Sequence, residues 1–164
     1  MYIKRFLEDK IVKYLGKREI LAVIGPRQCG KTTLLKHIFE KLDNALFLDF
    51  EDRQILELFN EDIDSFIDLY IKDHKYVFID EFQYAREGGK NLKYIYDKER
   101  TKLIISGSSS SELSIHSIKY LVGRIFVFNL YPFSTVFQRH CNCPSRIDKK
   151  QLFQVPSWIL NTPL

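Results

Sequence analysis

The stretch that most constrains this chain is GPRQCGKTTLL, residues 25–35, which sits between an apolar run at 20–24 and a helical pattern that begins at Lys31. Gly25, Gly30, Lys31 and Thr32 satisfy the spacing G-x-x-x-x-G-K-[ST]. A strand that passes straight into a helix through such a loop turns backbone N–H groups inward and sets the positive end of the helix behind them. Glycines permit the close approach and the unusual dihedrals that the turn requires. The ligand this favours is a nucleoside triphosphate with its metal. Lys31 is expected to reach the β- and γ-phosphates, Thr32 to ligate Mg²⁺, and Thr33 to lie over the α-phosphate. Gly25, Pro26, Arg27, Gln28, Cys29, Gly30, Lys31, Thr32 and Thr33 together form the expected nucleotide-binding segment. Cys29 reads either as a thiol made reactive by a cationic turn or as an inert small residue.

A second signal is YVFIDEFQ, residues 76–83, where an apolar run ends in Asp80 and Glu81. Two adjacent carboxylates at the end of a buried strand are costly unless a cation offsets them. Asp80 is therefore expected to hold Mg²⁺ through its water shell, and Glu81 to polarise the water that attacks the γ-phosphate. Nucleotide sites in open α/β sheets form at the carboxyl ends of strands, where this pair and the glycine turn both fall.

A third element is KLIISGSSSS, residues 102–111. A strand ending in hydroxyl side chains can set one between the metal carboxylate and the γ-phosphate; Ser108 is the first choice and Ser106 the second. Arg124, in LVGRIF, either offers charge to the transition state, in cis or to a neighbouring subunit, or is a surface arginine. In LDFED, residues 48–52, Asp49, Glu51 and Asp52 read as a helix cap or rim charges.

Around these motifs, short β-branched and aromatic runs alternate with amphipathic stretches, the pattern of βα units in a parallel sheet covered on both faces. Strands are expected at 20–24, 45–50, 76–79, 102–106 and 125–130, and helices at 31–42, 62–72, 91–100 and 112–121. Gly88 and Gly89 read as punctuation in a crossover. The N-terminal 1–18 reads as a helix with a solvated basic face. The domain is expected to span 1–139, with 140–164 a tail or the start of a further region.

Composition mainly excludes. Net charge is +4, but the 25 basic and 21 acidic residues are interspersed, so no docking face for nucleic acid is marked out. Three cysteines, one inside the glycine turn, do not form a disulfide framework. Cys141 and Cys143 lack the partners of a zinc site. No apolar leader or membrane-length run is present, so a cytoplasmic protein without membrane association is expected.

Taken together, GPRQCGKTTLL, LDFED, FIDEFQ, NLKYIYDKERTKLIISGSSSSEL and LVGRIFVFNLYPFS resemble the archaeal and bacterial AAA-superfamily ATPases, Walker-type P-loop proteins, over residues 20–137. The resemblance implies a three-layer α/β/α sandwich with a mainly parallel five-stranded sheet, the serine-bearing strand lying between the glycine-loop strand and the acidic strand. It implies that Lys31 and Thr32 serve nucleotide and metal, Asp80 the metal, Glu81 the water, and the GSSS serines the sensing of phosphate. It also implies ATP as the nucleotide and a C-terminal domain beyond the ATPase domain. The expected activity is Mg²⁺-dependent ATP binding and hydrolysis driving a conformational switch on a nucleic-acid or protein partner, with homo-oligomerisation open. The alternatives are a regulatory module that binds nucleotide and hydrolyses little, and a kinase. Kinases carry an arginine-rich lid, whereas only Arg86 and Arg100 fall between Asp80 and Ser111.

Overall fold

Alternation along five strands decides the architecture. The computed structural model of the chain describes residues 2–108 and 118–132. Its strands are β1 Ile20–Gly25, β2 Ala45–Asp49, β3 Tyr76–Asp80, β4 Lys102–Ser108 and β5 Ile125–Asn129, in the order β2-β3-β4-β1-β5 with every pairing parallel. Successive side chains point to opposite faces. Leu21, Val23, Phe78 and Ile104 therefore meet Ile11 of α1 (Phe6–Tyr14) and Leu34, Leu35 and Ile38 of α2 (Lys31–Phe39). Ala22, Ile24, Val77, Ile79, Leu103 and Ile105 face the other way. They pack on Phe59 of α3 (Arg53–Glu61), Phe66 of α4 (Ile63–Phe66) and Leu92 and Ile95 of α5 (Gly88–Lys98).

This is the expected three-layer α/β/α sandwich of the P-loop NTPases, with the serine-bearing β4 between β1 and β3. The register sets Gly25 beside Ser108 and Asp49 beside Asp80, so the ends of four strands share one rim.

Several expectations are corrected. The helix at 53–61 is absent from the sequence expectation; Asp52 caps it by accepting from the Gln54 N–H at 2.9 Å. The helix expected over 62–72 is α-helical only to Phe66 and π-helical over Ile67–Ile71. Gly88 and Gly89 lie not in a loop but in the first turn of α5, where a Cβ on Gly88 would stand 2.6 Å from the Phe82 ring. Of the helix expected at 112–121, only a 3₁₀ turn at Ile118–Leu121 falls among the described residues. The domain end at 139 and the tail at 140–164, with Cys141 and Cys143, lie outside them. No helix of the described residues is long and apolar enough to cross a membrane.

The N-terminal helix also carries more than a solvated face. Glu8 is buried and accepts from the Tyr2 hydroxyl and from Lys41 Nζ, each at 2.7 Å, with His37 Nε2 at 3.6 Å. Burial alone raises the Glu8 pKa, but the Lys41 and Tyr2 hydrogen bonds outweigh it and the net shift is downward. Tyr2 is pushed up by its own burial and by the Glu8 carboxylate. Through His37 and Lys41 these contacts hold α1 to α2, the helix that opens at the glycine turn, and to the residues just after it.

Candidate functional site

The glycine turn is shaped by two constraints that act on different glycines. Gly25 ends β1 with the backbone of Leu130 against it: the Leu130 N–H donates to the Ile24 carbonyl at 2.7 Å, and a Cβ on Gly25 would lie 2.3 Å from the Leu130 carbonyl oxygen. Gly30, at φ 91°, adopts a left-handed conformation that side chains disfavour, yet has open space around it. Between them Gln28 also takes a positive φ of 62°.

Gly30 is the N-cap of α2 and no side chain caps that helix. The first N–H groups of a helix have no intrahelical partners, and the macrodipole places positive potential there. Lys31 is buried, and its Nζ donates to the Gly25 and Pro26 carbonyls at 3.2 and 3.0 Å. Cys29 is a buried free thiol packed against Gly25, a setting that favours the inert of its two readings.

A cleft of about 500 Å³ opens in front of this turn, lined by Arg27, Gln28, Gly30, Lys31, Thr32, Thr33, Glu51, Glu81 and Tyr84. Glu81 reaches it because of its backbone. Strand alternation would send its side chain to the face opposite Asp80, but at φ 51° the chain turns there. The next residue, Phe82, is fully buried, stacked on Phe50 at 5.6 Å and edge-on to Phe59 at 5.8 Å. The ring therefore occupies the core and leaves the carboxylate before it at the rim.

Asp80 does not line the cleft: it is 1% exposed, directly before Glu81, and accepts from the Ser106 hydroxyl and from the Glu81 N–H at 3.1 Å. Ser106, the second choice from sequence, is thus the serine that meets the expected metal carboxylate. Ser108, the first choice, is buried beside Gly25, and its N–H donates to Gln83 Oε1 at 3.1 Å. In LDFED, Asp52 caps α3, Asp49 accepts from the Glu51 N–H at 2.9 Å, and Glu51 lines the cleft.

Among the described residues no group of three or more His, Cys, Asp or Glu is arranged to hold a metal by itself. A hydroxyl and a carboxylate are donor types that Mg²⁺ takes beside waters and substrate phosphates; Thr32 lines the cleft, and Asp80 is buried next to Glu81, which does.

Arg124 is not brought to the site. It precedes β5, its carbonyl accepts from the Ile20 N–H at 2.8 Å, and its Nε donates to Asp97 at 3.2 Å. Since β5 runs parallel to β1, Arg124 stands at the opposite rim, a strand length of roughly 16 Å from the glycine turn. The arginine that lines the cleft is Arg27.

Two further residues stand outside the sequence expectations. Arg5 donates to the carbonyls of Cys29, at 2.8 Å, and Tyr131, at 2.9 Å, tying the glycine turn to the chain after β5. Gln83 touches both Glu81 and Ser108. Gln83 stands in plain sight in FIDEFQ; nothing local in the sequence marks Arg5.

The family description "AAA domain" matches residues 17–136. No curated protein matches the chain. Similar solved structures include the Pif1 helicase from Candida albicans, with TM-score 0.55 and 13% identity, over 87% of this chain and 43% of that one. The Pif1 helicase from Bacteroides in complex with ADP-AlF3 and ssDNA matches with TM-score 0.54 and 16% identity, over 82% of this chain and 43% of that one. This chain spans less than half the length of either helicase. At such identities the likeness is one of fold.

Proposed function

Since the chain belongs to the AAA domain family, we propose that it binds ATP with Mg²⁺ and hydrolyses it, using the cleft at the carboxyl rim of the sheet. The observation that carries this reading is the convergence on one cleft of Lys31, Thr32 and the uncapped N-terminus of α2 with the Glu81 carboxylate. The free N–H groups of α2 and the Lys31 ammonium bind the phosphate chain, Lys31 exchanging its two loop carbonyls for phosphate oxygens. Thr32 and Asp80 hold Mg²⁺, which when bound neutralises charge on the phosphates. Ser106 orients Asp80 by donating to it. Glu81 accepts a hydrogen bond from the attacking water and orients it toward the terminal phosphate. Arg27, on the loop itself, supplies a further cation at the cleft.

Hydrolysis is read as driving a conformational switch on a macromolecule. Nucleic acid is the preferred partner class, supported by the fold shared with helicases, one of them solved with ssDNA.

The roles separate by mutation. Lys31→Ala should lower affinity for a fluorescent ATP analogue at least about 10-fold, whereas Glu81→Gln should bind the analogue normally and lose about 100-fold or more in turnover. Unaltered hydrolysis in Glu81→Gln would remove Glu81 from the chemistry. Turnover measured with added ssDNA, duplex DNA and RNA then identifies the partner class by stimulation.

A further inference from the structure

Gln83 stands just beyond the carboxyl end of β3, two residues after Glu81. It sits in the 3₁₀ turn Phe82–Tyr84, whose first residue is locked in the aromatic core while Gln83 itself stays half-buried at the rim. Its side chain spans two strand ends. Nε2 donates to Glu81 Oε2, and Oε1 accepts from the Ser108 N–H at 3.1 Å. The assignment of the two amide atoms is forced by the partners. A carboxylate only accepts and a backbone N–H only donates, so the reversed amide would set two acceptors and two donors against each other.

The link has a direction in the fold. Ser108 ends β4 and is registered against Gly25, the first residue of the glycine turn. Glu81 follows β3 and lines the cleft. The only carboxamide bridging these ends among the described residues is therefore strung between the strand beside the phosphate turn and the carboxylate that faces it.

We propose that Gln83 is a positioning residue for Glu81: its amide fixes where the Glu81 carboxylate stands in the cleft, using the end of β4 as the reference point. This rests on the reading of Glu81 as the group that orients the attacking water. Among the described residues Gln83 makes no hydrogen bond to the phosphate turn or to Lys31, so its effect falls on turnover and not on nucleotide binding. Small displacements of a reacting group cost rate steeply, about 100-fold for 1 Å.

The experiment measures kcat for ATP, affinity for a fluorescent ATP analogue and melting temperature in Gln83→Ala, Gln83→Glu, Glu81→Gln and the double variant Glu81→Gln/Gln83→Ala. Gln83→Glu keeps an acceptor for the Ser108 N–H but sets a second carboxylate against Glu81. The expected result is a fall in kcat of about 10- to 100-fold in both Gln83 variants, with analogue affinity within about 2-fold of wild type. In the double variant, Gln83→Ala should add nothing to the loss from Glu81→Gln, because the group it positions is gone. Full kcat in Gln83→Ala alongside an inactive Glu81→Gln overturns the inference and leaves the role of Glu81 standing. Full activity in Glu81→Gln overturns both. A parallel loss of analogue affinity, or additivity in the double variant, makes Gln83 a structural residue and overturns the inference as well.

Discussion

At the scale of single residues, the two glycines of the turn answer to different physics. Gly30 is bound by its dihedral alone: at φ 91° and with nothing within 4 Å of where a Cβ would go, alanine there strains the backbone and touches nothing. Gly25 is bound by contact, with the Leu130 carbonyl at 2.3 Å and Cys29 Sγ at 2.8 Å from the position of a methyl group. Gly30→Ala should cost about 1–2 kcal/mol. Gly25→Ala should cost more, since the backbone that follows β5 must move aside. Urea denaturation of the two variants checks the order; equal losses would mean that the β5 side yields easily. Both residues are legible as glycines that a phosphate turn needs. The reason at Gly25 is not, because Leu130 lies far along the chain and only the pairing of β5 with β1 brings it there. The same limit explains the serines. Small hydroxyls at the end of β4 are readable, but which of them meets Asp80 depends on the register of β3 against β4, and register places Ser106 there.

At the scale of elements, the strands are legible because each is a short apolar run with its polar residues at the ends, and all five begin within the expected segments. Helix α3 is harder to see, although Ile55, Leu56 and Phe59 fall on one helical face behind the Asp52 cap. The acidic LDFED reads as a helix cap or rim charges, and Asp52 is the residue that caps. Gly88 and Gly89 look like a break, yet α5 begins with them because only glycine fits beneath the Phe82 ring at Gly88. The basic N-terminal helix conceals a carboxylate, Glu8, that holds it to α2. Its pKa lies below the ordinary 4.5, so this contribution is fully present above that value and is lost as pH falls through the lowered folded value. Lys41→Met leaves the buried carboxylate one donor short and should cost about 1–3 kcal/mol at pH 7. The gap between the variant and wild type should close in acid. Denaturation curves at pH 7 and at descending acidic pH test this; a gap independent of pH would mean that Lys41 contributes by packing and not by charge.

At the scale of the molecule, nucleotide is expected to stabilise the whole domain, because its site joins β1, α2 and the end of β3. Ligand that binds only the folded state adds about 2.7 kcal/mol at 100 times its Kd. ATP with Mg²⁺ should therefore raise the melting temperature of wild type and of Arg124→Ala alike, and leave that of Lys31→Ala nearly unmoved. A lost shift in Arg124→Ala would place that arginine in the site after all. From the chain alone come the phosphate turn, the acidic strand end and the parallel α/β class, since each is written in residues within one short segment whose spacing has a local physical meaning. Tertiary structure decides the rest: that Arg124 stands at the far rim, that Ser106 and not Ser108 meets Asp80, that Gln83 meets both Glu81 and Ser108, and that Arg5 meets the carbonyls of Cys29 and Tyr131. Those are facts about which strand lies beside which and in what register, and such pairings are set by burial of both sheet faces at once, which no local segment records.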